Sequence, residues 1–202
     1  SSRELAILVG TILGDAHLAK GKSGTRLEVV HSETQREYLM WKYRVLRRFV
    51  GAKPHRLEIN DIRYDQVYTQ WRFKSLYHAS LNKVYGIFYP RGKKIIPKNI
   101  DHWLKLPLSL AVWFMDDGGR RNDSYGMFLN TLSFSRLENE RLQRCLKQNF
   151  SLDSRLHWIS DGYRLYIPSK DAKHFCELVH PYVVPLMKYK LPYDPVTTSF
   201  AR

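Results

Sequence analysis

The sequence predicts an α+β protein built from two similar halves related by a pseudo-two-fold. Each half runs helix, strand, strand, helix, strand, strand, helix. Three observations carry that prediction. Two apolar segments end in acidic residues, Leu8-Val9-Gly10-Thr11-Ile12-Leu13-Gly14-Asp15-Ala16 and Leu110-Ala111-Val112-Trp113-Phe114-Met115-Asp116-Asp117-Gly118. Aligning Asp15 with Asp117 sets a repeat of 102 residues in a chain of 202. The offset recurs as 103 between Ser32-x-x-Gln35 and Ser135-x-x-Glu138, both capping-box patterns. The composition, 44% hydrophobic and 13% aromatic, is that of a chain with a substantial core. The expected halves are residues 1–102 and 103–202.

Each element follows in order. The two apolar segments are hydrophobic nearly all round, so they read as buried helices. Gly10, Gly14 and Ala111 thin their faces and let two helix backbones approach closely. Residues 26–31 and 127–134 read as the second strands of the first strand pair. The capping boxes open helices in which Tyr38, Trp41, Val45 and Phe49, and then Leu142, Cys145, Leu146 and Phe150, recur at helical spacing. Strands at 56–60 and 155–159 lead through turns at Asn60-Asp61 and Asp161-Gly162 into strands at 66–73 and 163–167. Helices at 75–85 and 169–179 follow. Each half closes on Lys and Pro, in Lys93-Lys94-Ile95-Ile96-Pro97 and Lys188-Tyr189-Lys190-Leu191-Pro192.

Charge and composition narrow the function. Lys and Arg number 33 against 19 Asp and Glu, a net +14. A folded, aromatic-rich chain of that charge wants a polyanion, and nucleic acid is the leading one. A disordered basic tail would be poor in aromatics. No apolar run approaches the ~18 residues of a transmembrane helix, and Ser1-Ser2-Arg3-Glu4 opens no secretion signal. Cys145 and Cys176 fit neither a disulfide framework nor a zinc site. An intracellular setting with access to DNA, an organelle or a microbial cytoplasm, is expected.

The helix-ending aspartates carry the chemistry. A carboxylate at a helix C-terminus meets the negative end of the dipole, at a cost of ~0.3–1 kcal/mol. A lone aspartate there is a solvated terminus, but Asp15 and Asp117 recur at the repeat spacing. A hard divalent cation resolves their conflict with the dipole and with each other. Mg²⁺ is expected, with Mn²⁺ able to substitute, and the carbonyls of Gly14 and Asp116 are candidate further ligands. Metal beside a basic surface implies phosphodiester hydrolysis.

The strands supply a reading surface. Alternation places Gln66, Tyr68, Gln70, Arg72 and Lys74 on one face, with Val67, Thr69, Trp71 and Phe73 on the other. Arg suits guanine edges and Gln suits adenine. Arg26 and Glu28 alternate similarly, as do Arg56 and Glu58. Arg155, His157, Arg164 and Tyr166 are their analogues in the second half, and Arg120-Arg121 is a candidate phosphate contact. Gly21-Lys22-Ser23-Gly24 lacks the spacing of a phosphate loop and reads as a turn.

These motifs resemble those of the LAGLIDADG homing endonucleases, in their two-motif, single-chain form. The resemblance spans Ile12-Leu13-Gly14-Asp15-Ala16, Lys93-Lys94-x-Ile96-Pro97, the segment from Ser109 through Asp117 to Gly118-Gly119, Leu129-Asn130-Thr131-x-Ser133-Phe134 and Tyr189-Lys190-Leu191-Pro192. It implies halves packed through their LAGLIDADG helices, with antiparallel sheets forming a saddle for double-stranded DNA. It also implies a monomeric, metal-dependent endonuclease that needs no protein partner and leaves 3′ overhangs. Asp15 and Asp117 match the metal-binding aspartates, and Lys94 and Lys190 match the basic residues beside the metals. The alternative is an RNA maturase of the same fold, acting on its host intron. A restriction-type nuclease is disfavoured: no Glu-x-Lys occurs, and Asp171-Ala172-Lys173 falls on an expected surface helix.

Overall fold

The computed structural model describes residues 1–62, 65–160 and 162–193. Its helices are α1 (Ser2–Leu13), α2 (Arg36–Leu46), α3 (Ser80–Phe88), α4 (Ile100–Trp103), α5 (Pro107–Asp117), α6 (Arg136–Phe150) and α7 (Ser169–Val179). Its strands are β1 (His17–Gly21), β2 (Gly24–Ser32), β3 (His55–Asp61), β4 (Gln66–Lys74), β5 (Gly118–Arg120), β6 (Met127–Leu129), β7 (Arg155–Ile159) and β8 (Gly162–Ile167). The predicted α+β class and the predicted order therefore hold in both repeats, with α4 as an added turn of helix. Two antiparallel four-stranded sheets result, ordered β1-β2-β4-β3 and β5-β6-β8-β7. The second repeats the strand order of the first.

The chain packs as two compact units, residues 15–92, and residues 1–14 with 93 onward. In the first, Leu18, Leu27, Val29 and Phe73 on one sheet face bury with Tyr38 and Leu39 of α2 and Val84 and Phe88 of α3. In the second, α1 and α5 are central. Every residue of α5 from Leu108 to Asp116 is buried, as its all-round hydrophobicity requires. No helix of the described residues is long and apolar enough to cross a membrane.

Four local expectations are corrected. The first capping box does not form. A 3-10 turn, Glu33–Gln35, precedes α2, and Ser32 makes no side-chain cap. Its hydroxyl bonds Thr34 Oγ1 at 2.9 Å, while Gln35 Oε1 meets His31 Nδ1 at 3.0 Å. The second box forms in full, with Ser135 and Glu138 each satisfying the other's backbone amide. The helix expected from Ser75 starts at Ser80, because the Ser75 N–H donates to Leu27 O at 2.8 Å and its Oγ accepts from Leu27 N–H at 2.9 Å. The strand expected over 127–134 stops at Leu129. There the amide of Asn139 donates to the carbonyls of Thr131, Phe134 and Ser135 and holds a turn instead. The turn expected at Asn60-Asp61 is strand, for Asp61 pairs with Gln66. Asp161 of the second expected turn lies outside the described residues.

Candidate catalytic site and nucleic-acid interface

Two helix ends build the candidate catalytic site. A Cβ on Gly10 of α1 would lie 2.5 Å from the Ser109 carbonyl oxygen and 2.7 Å from Val112 Cβ of α5. One on Gly14 would lie 2.3 Å from Asp116 Cβ. Only glycine admits so close an approach, so Gly10 and Gly14 seat α1 on α5 as read from the sequence. Gly14 caps α1, and Asp15 is the next residue; Asp117 is the last residue of α5.

Each helix end receives a lysine. Lys94 Nζ donates to Gly14 O at 2.8 Å. Lys190 Nζ donates to Asp116 O at 2.9 Å and also to Met115 O. Helix C-terminal carbonyls lack intrahelical donors, and an ammonium both caps them and complements the dipole. The two carbonyls read as metal ligands are thus lysine acceptors.

What places Lys94 was invisible in the sequence. Ile96, two residues on and fully buried, is gripped on both sides of its peptide. Its N–H donates to Glu138 Oε1 at 3.0 Å, and its carbonyl accepts from Arg141 Nη1 at 2.7 Å. Burial pushes the Glu138 carboxyl up. The Ser135 hydroxyl, the amides of Ser135 and Ile96 and the Arg141 charge outweigh it and hold the group below its ordinary range. A depressed carboxyl stabilises the fold above its unfolded pKa, and the gain is lost as pH falls through the folded value. Glu138→Gln is therefore expected to lower the melting temperature at neutral pH, and by less in acid. Thermal melts between pH 7 and pH 3 check this, with the two proteins converging at the acid end.

Strand pairing sorts the surface residues. In the first sheet Glu28 pairs with Lys74, Val30 with Arg72, Ser32 with Gln70, and His55 with Arg72 across β4. One face therefore carries Arg26, Glu28, Gln66, Tyr68, Gln70, Arg72 and Lys74, together with His55, Leu57 and Ile59. Arg56 pairs with Trp71 and Glu58 with Thr69, so both lie on the opposite face. There Arg56 donates to Thr69 Oγ1 at 3.0 Å and lies 3.6 Å from Glu33. Val67 is 63% exposed, so the β3–β4 hairpin is solvated on both faces at its tip. In the second sheet Arg155 pairs with Tyr166 and His157 with Arg164. All four share one face with Phe128. Arg121 joins them, its guanidinium 5.6 Å from the Phe128 ring centre and 5.8 Å from that of Tyr166. Arg120 pairs with Met127, on the other face.

A sequence model of the LAGLIDADG DNA endonuclease family matches residues 5–175. The chain belongs to that family. A probable intron-encoded endonuclease of Wickerhamomyces canadensis is 31% identical over 192 residues, covering 93% of this chain and 83% of the relative. A cytochrome b mRNA maturase, bI2, of Debaryomyces hansenii is 30% identical over 193 residues, covering 93% and 72%. The solved structure of the homing endonuclease I-WcaI bound to its DNA recognition sequence superposes with a TM-score of 0.88 at 30% identity, covering 95% of this chain and 86% of that one.

The sheet faces of this LAGLIDADG protein differ in charge balance. On the first, burial raises the Glu28 carboxyl, but Arg26 at 2.6 Å and Lys74 at 3.4 Å outweigh it and hold the group ionised. An acceptor thus sits fixed between two donors. On the second, desolvation and then Arg121, Arg164 and Arg155 push the His157 imidazole below its ordinary pKa. That face is a cationic cluster with aromatic rings between its charges. The Arg164 guanidinium lies 3.8 Å from the Phe128 ring centre.

Proposed function

We propose that this chain is a monomeric, site-specific double-stranded DNA endonuclease. It hydrolyses a phosphodiester bond in each strand of a long site and leaves 3′ overhangs. Asp15 and Asp117 each follow or end one of the two packed helices and would hold the divalent cations. Carboxylate and carbonyl oxygens are the donor set of a hard cation, so Mg²⁺ fits, with Mn²⁺ as its substitute. Bound metal would supply a water of lowered pKa and neutralise charge at the leaving oxygen.

The observation that carries the reading is the seating of Lys94 and Lys190 on the Gly14 and Asp116 carbonyls. An ammonium held at each helix end stabilises charge that builds on a phosphate in the transition state. The strand faces bearing Arg26, Gln70, Arg72 and Lys74, and Arg155, His157, Arg164 and Tyr166, would track the duplex, with phosphate contacts outnumbering base contacts. Arg56, Glu58 and Arg120 lie on the opposite faces of their sheets and would not belong to that tracking surface. The setting would be an organelle or microbial cytoplasm.

Cleavage of a randomised duplex library in Mg²⁺, with Ca²⁺ as the non-supporting ion, recovers the target from sequenced cut ends. On that target, Lys94→Met and Lys190→Met are each expected to slow cleavage about 10²–10³-fold with DNA affinity nearly unchanged. Wild-type rates in both variants would overturn the assignment. The maturase similarity supports a second reading, an added role in splicing a host intron. Splicing of that intron with and without the protein tests it.

A further inference from the structure

The Asp15 side has a buried arrangement with no sequence signature. Lys42 of α2 is fully buried, a rare state for lysine. Its Nζ lies 3.1 Å from His31 Nε2 and 4.4 Å from the ring centre of Tyr38. Tyr38 in turn leans on the His31 ring at 5.0 Å. His31 is buried too, on the core-facing side of β2 opposite Trp71.

The chemistry of these neighbours selects one form of the ring. An ammonium has three donors and no acceptor, so Nε2 beside Lys42 must accept. The proton of the neutral ring then sits on Nδ1. Nδ1 faces two acceptor oxygens, Gln35 Oε1 at 3.0 Å and Asp15 Oδ2 at 3.5 Å. Gln35 is free for this role because the capping box it was read into does not form. All three contacts agree on the Nδ1–H tautomer.

We propose that His31 is a positioning residue for Asp15: Lys42 at Nε2 and Gln35 at Nδ1 together fix its tautomer, so that the Nδ1 proton lies beside the carboxylate as well as on Gln35. The inference rests on the reading of Asp15 as a metal-holding carboxylate. His31 then orients that carboxylate as a donor and is not itself a ligand. Groups that hydrogen-bond a ligating carboxylate typically change metal affinity or activity 10–100-fold when lost.

The test uses the full chain. Nitrogen-15 NMR of the His31 side chain is expected to show a protonated Nδ1 and an accepting Nε2. An Nε2–H tautomer in the wild-type protein overturns the proposal without any variant having to fold. In Mn²⁺-supported cleavage, His31→Ala is expected to raise the half-saturating metal concentration by about 10-fold or more. His31→Asn, whose amide donor sits near the Nδ1 position, is expected to restore most of that. Equal half-saturation in wild type and His31→Ala overturns this inference alone if Asp15→Asn has lost cleavage. Full cleavage by Asp15→Asn overturns the underlying reading and the proposal with it.

Discussion

Asp15→Asn and Asp117→Asn are each expected to abolish double-strand cleavage while leaving DNA binding intact. Asparagine keeps the size and hydrogen-bonding reach of aspartate but not the charge that holds a hard cation. The expected loss is on the order of 10³-fold or more, about 4 kcal/mol of barrier. Binding should not fall, because the sheet faces that would meet phosphate are untouched. Removing a negative charge near a polyanion should, if anything, raise affinity at low salt. The assay is conversion of a supercoiled plasmid carrying the site to nicked and linear forms, beside a metal-free gel-shift titration. If each carboxylate serves one strand, single variants should stall at the nicked form and the double variant should not nick. Linear product at the wild-type rate from either variant would sink the metal assignment. Loss of binding together with cleavage would mean that the carboxylate holds structure.

Most of the fold was legible because its signals are local and each occurs twice. The all-apolar helices, the alternation in β4 and the second capping box need no distant partner to be read. Helix α7 matches its expected bounds, 169–179, and starts directly after Pro168. The failures turn on partners that a pattern does not display, distant in one instance and closer along the chain in the others. Ser75 looks like a helix start until the Leu27 carbonyl, 48 residues earlier, accepts from its amide and the Leu27 amide donates to its hydroxyl. Ser32-x-x-Gln35 matches the capping pattern as Ser135-x-x-Glu138 does, but its Gln35 is engaged by His31. Alternation shows that Arg56 and Glu58 share a face; it does not show which face. Pairing decides that, and His55 opposite Arg72 puts odd residues of β3 beside even residues of β4. At the candidate site, Asp15, Asp117, Lys94 and Lys190 were legible from repeat and resemblance. His31, Lys42 and the Glu138–Arg141 grip on Ile96 were not, since each depends on packing across elements.

Gly10→Ala and Gly14→Ala are expected to be the most damaging small substitutions, and they should separate stability from catalysis. At Gly10 the new methyl would meet a backbone carbonyl at 2.5 Å and a β-carbon at 2.7 Å. Neither can yield without moving α1 off α5. Overpacking of this kind costs about 1–3 kcal/mol, against at most about 1 kcal/mol returned by helix propensity. A Tm drop of roughly 5 °C is expected for a chain of this size, with cleavage per folded molecule largely kept. At Gly14 the methyl would meet Asp116 Cβ at 2.3 Å, beside the carbonyl that Lys94 holds and one residue from Asp15. A shift of about 1 Å there should cost on the order of 10²-fold in cleavage as well as stability. Gly86 of α3 is the control. Nothing lies within 4 Å of a Cβ built on it, so Gly86→Ala should stabilise by about 0.5–1 kcal/mol. Pairing Gly14→Ala with Asp116→Gly removes the clashing atom, so the double variant should be more stable than the two single losses predict when added. Strict additivity in that cycle would mean that the Gly14–Asp116 contact does not seat the helices. The cleavage defect of Gly14→Ala would then need another cause.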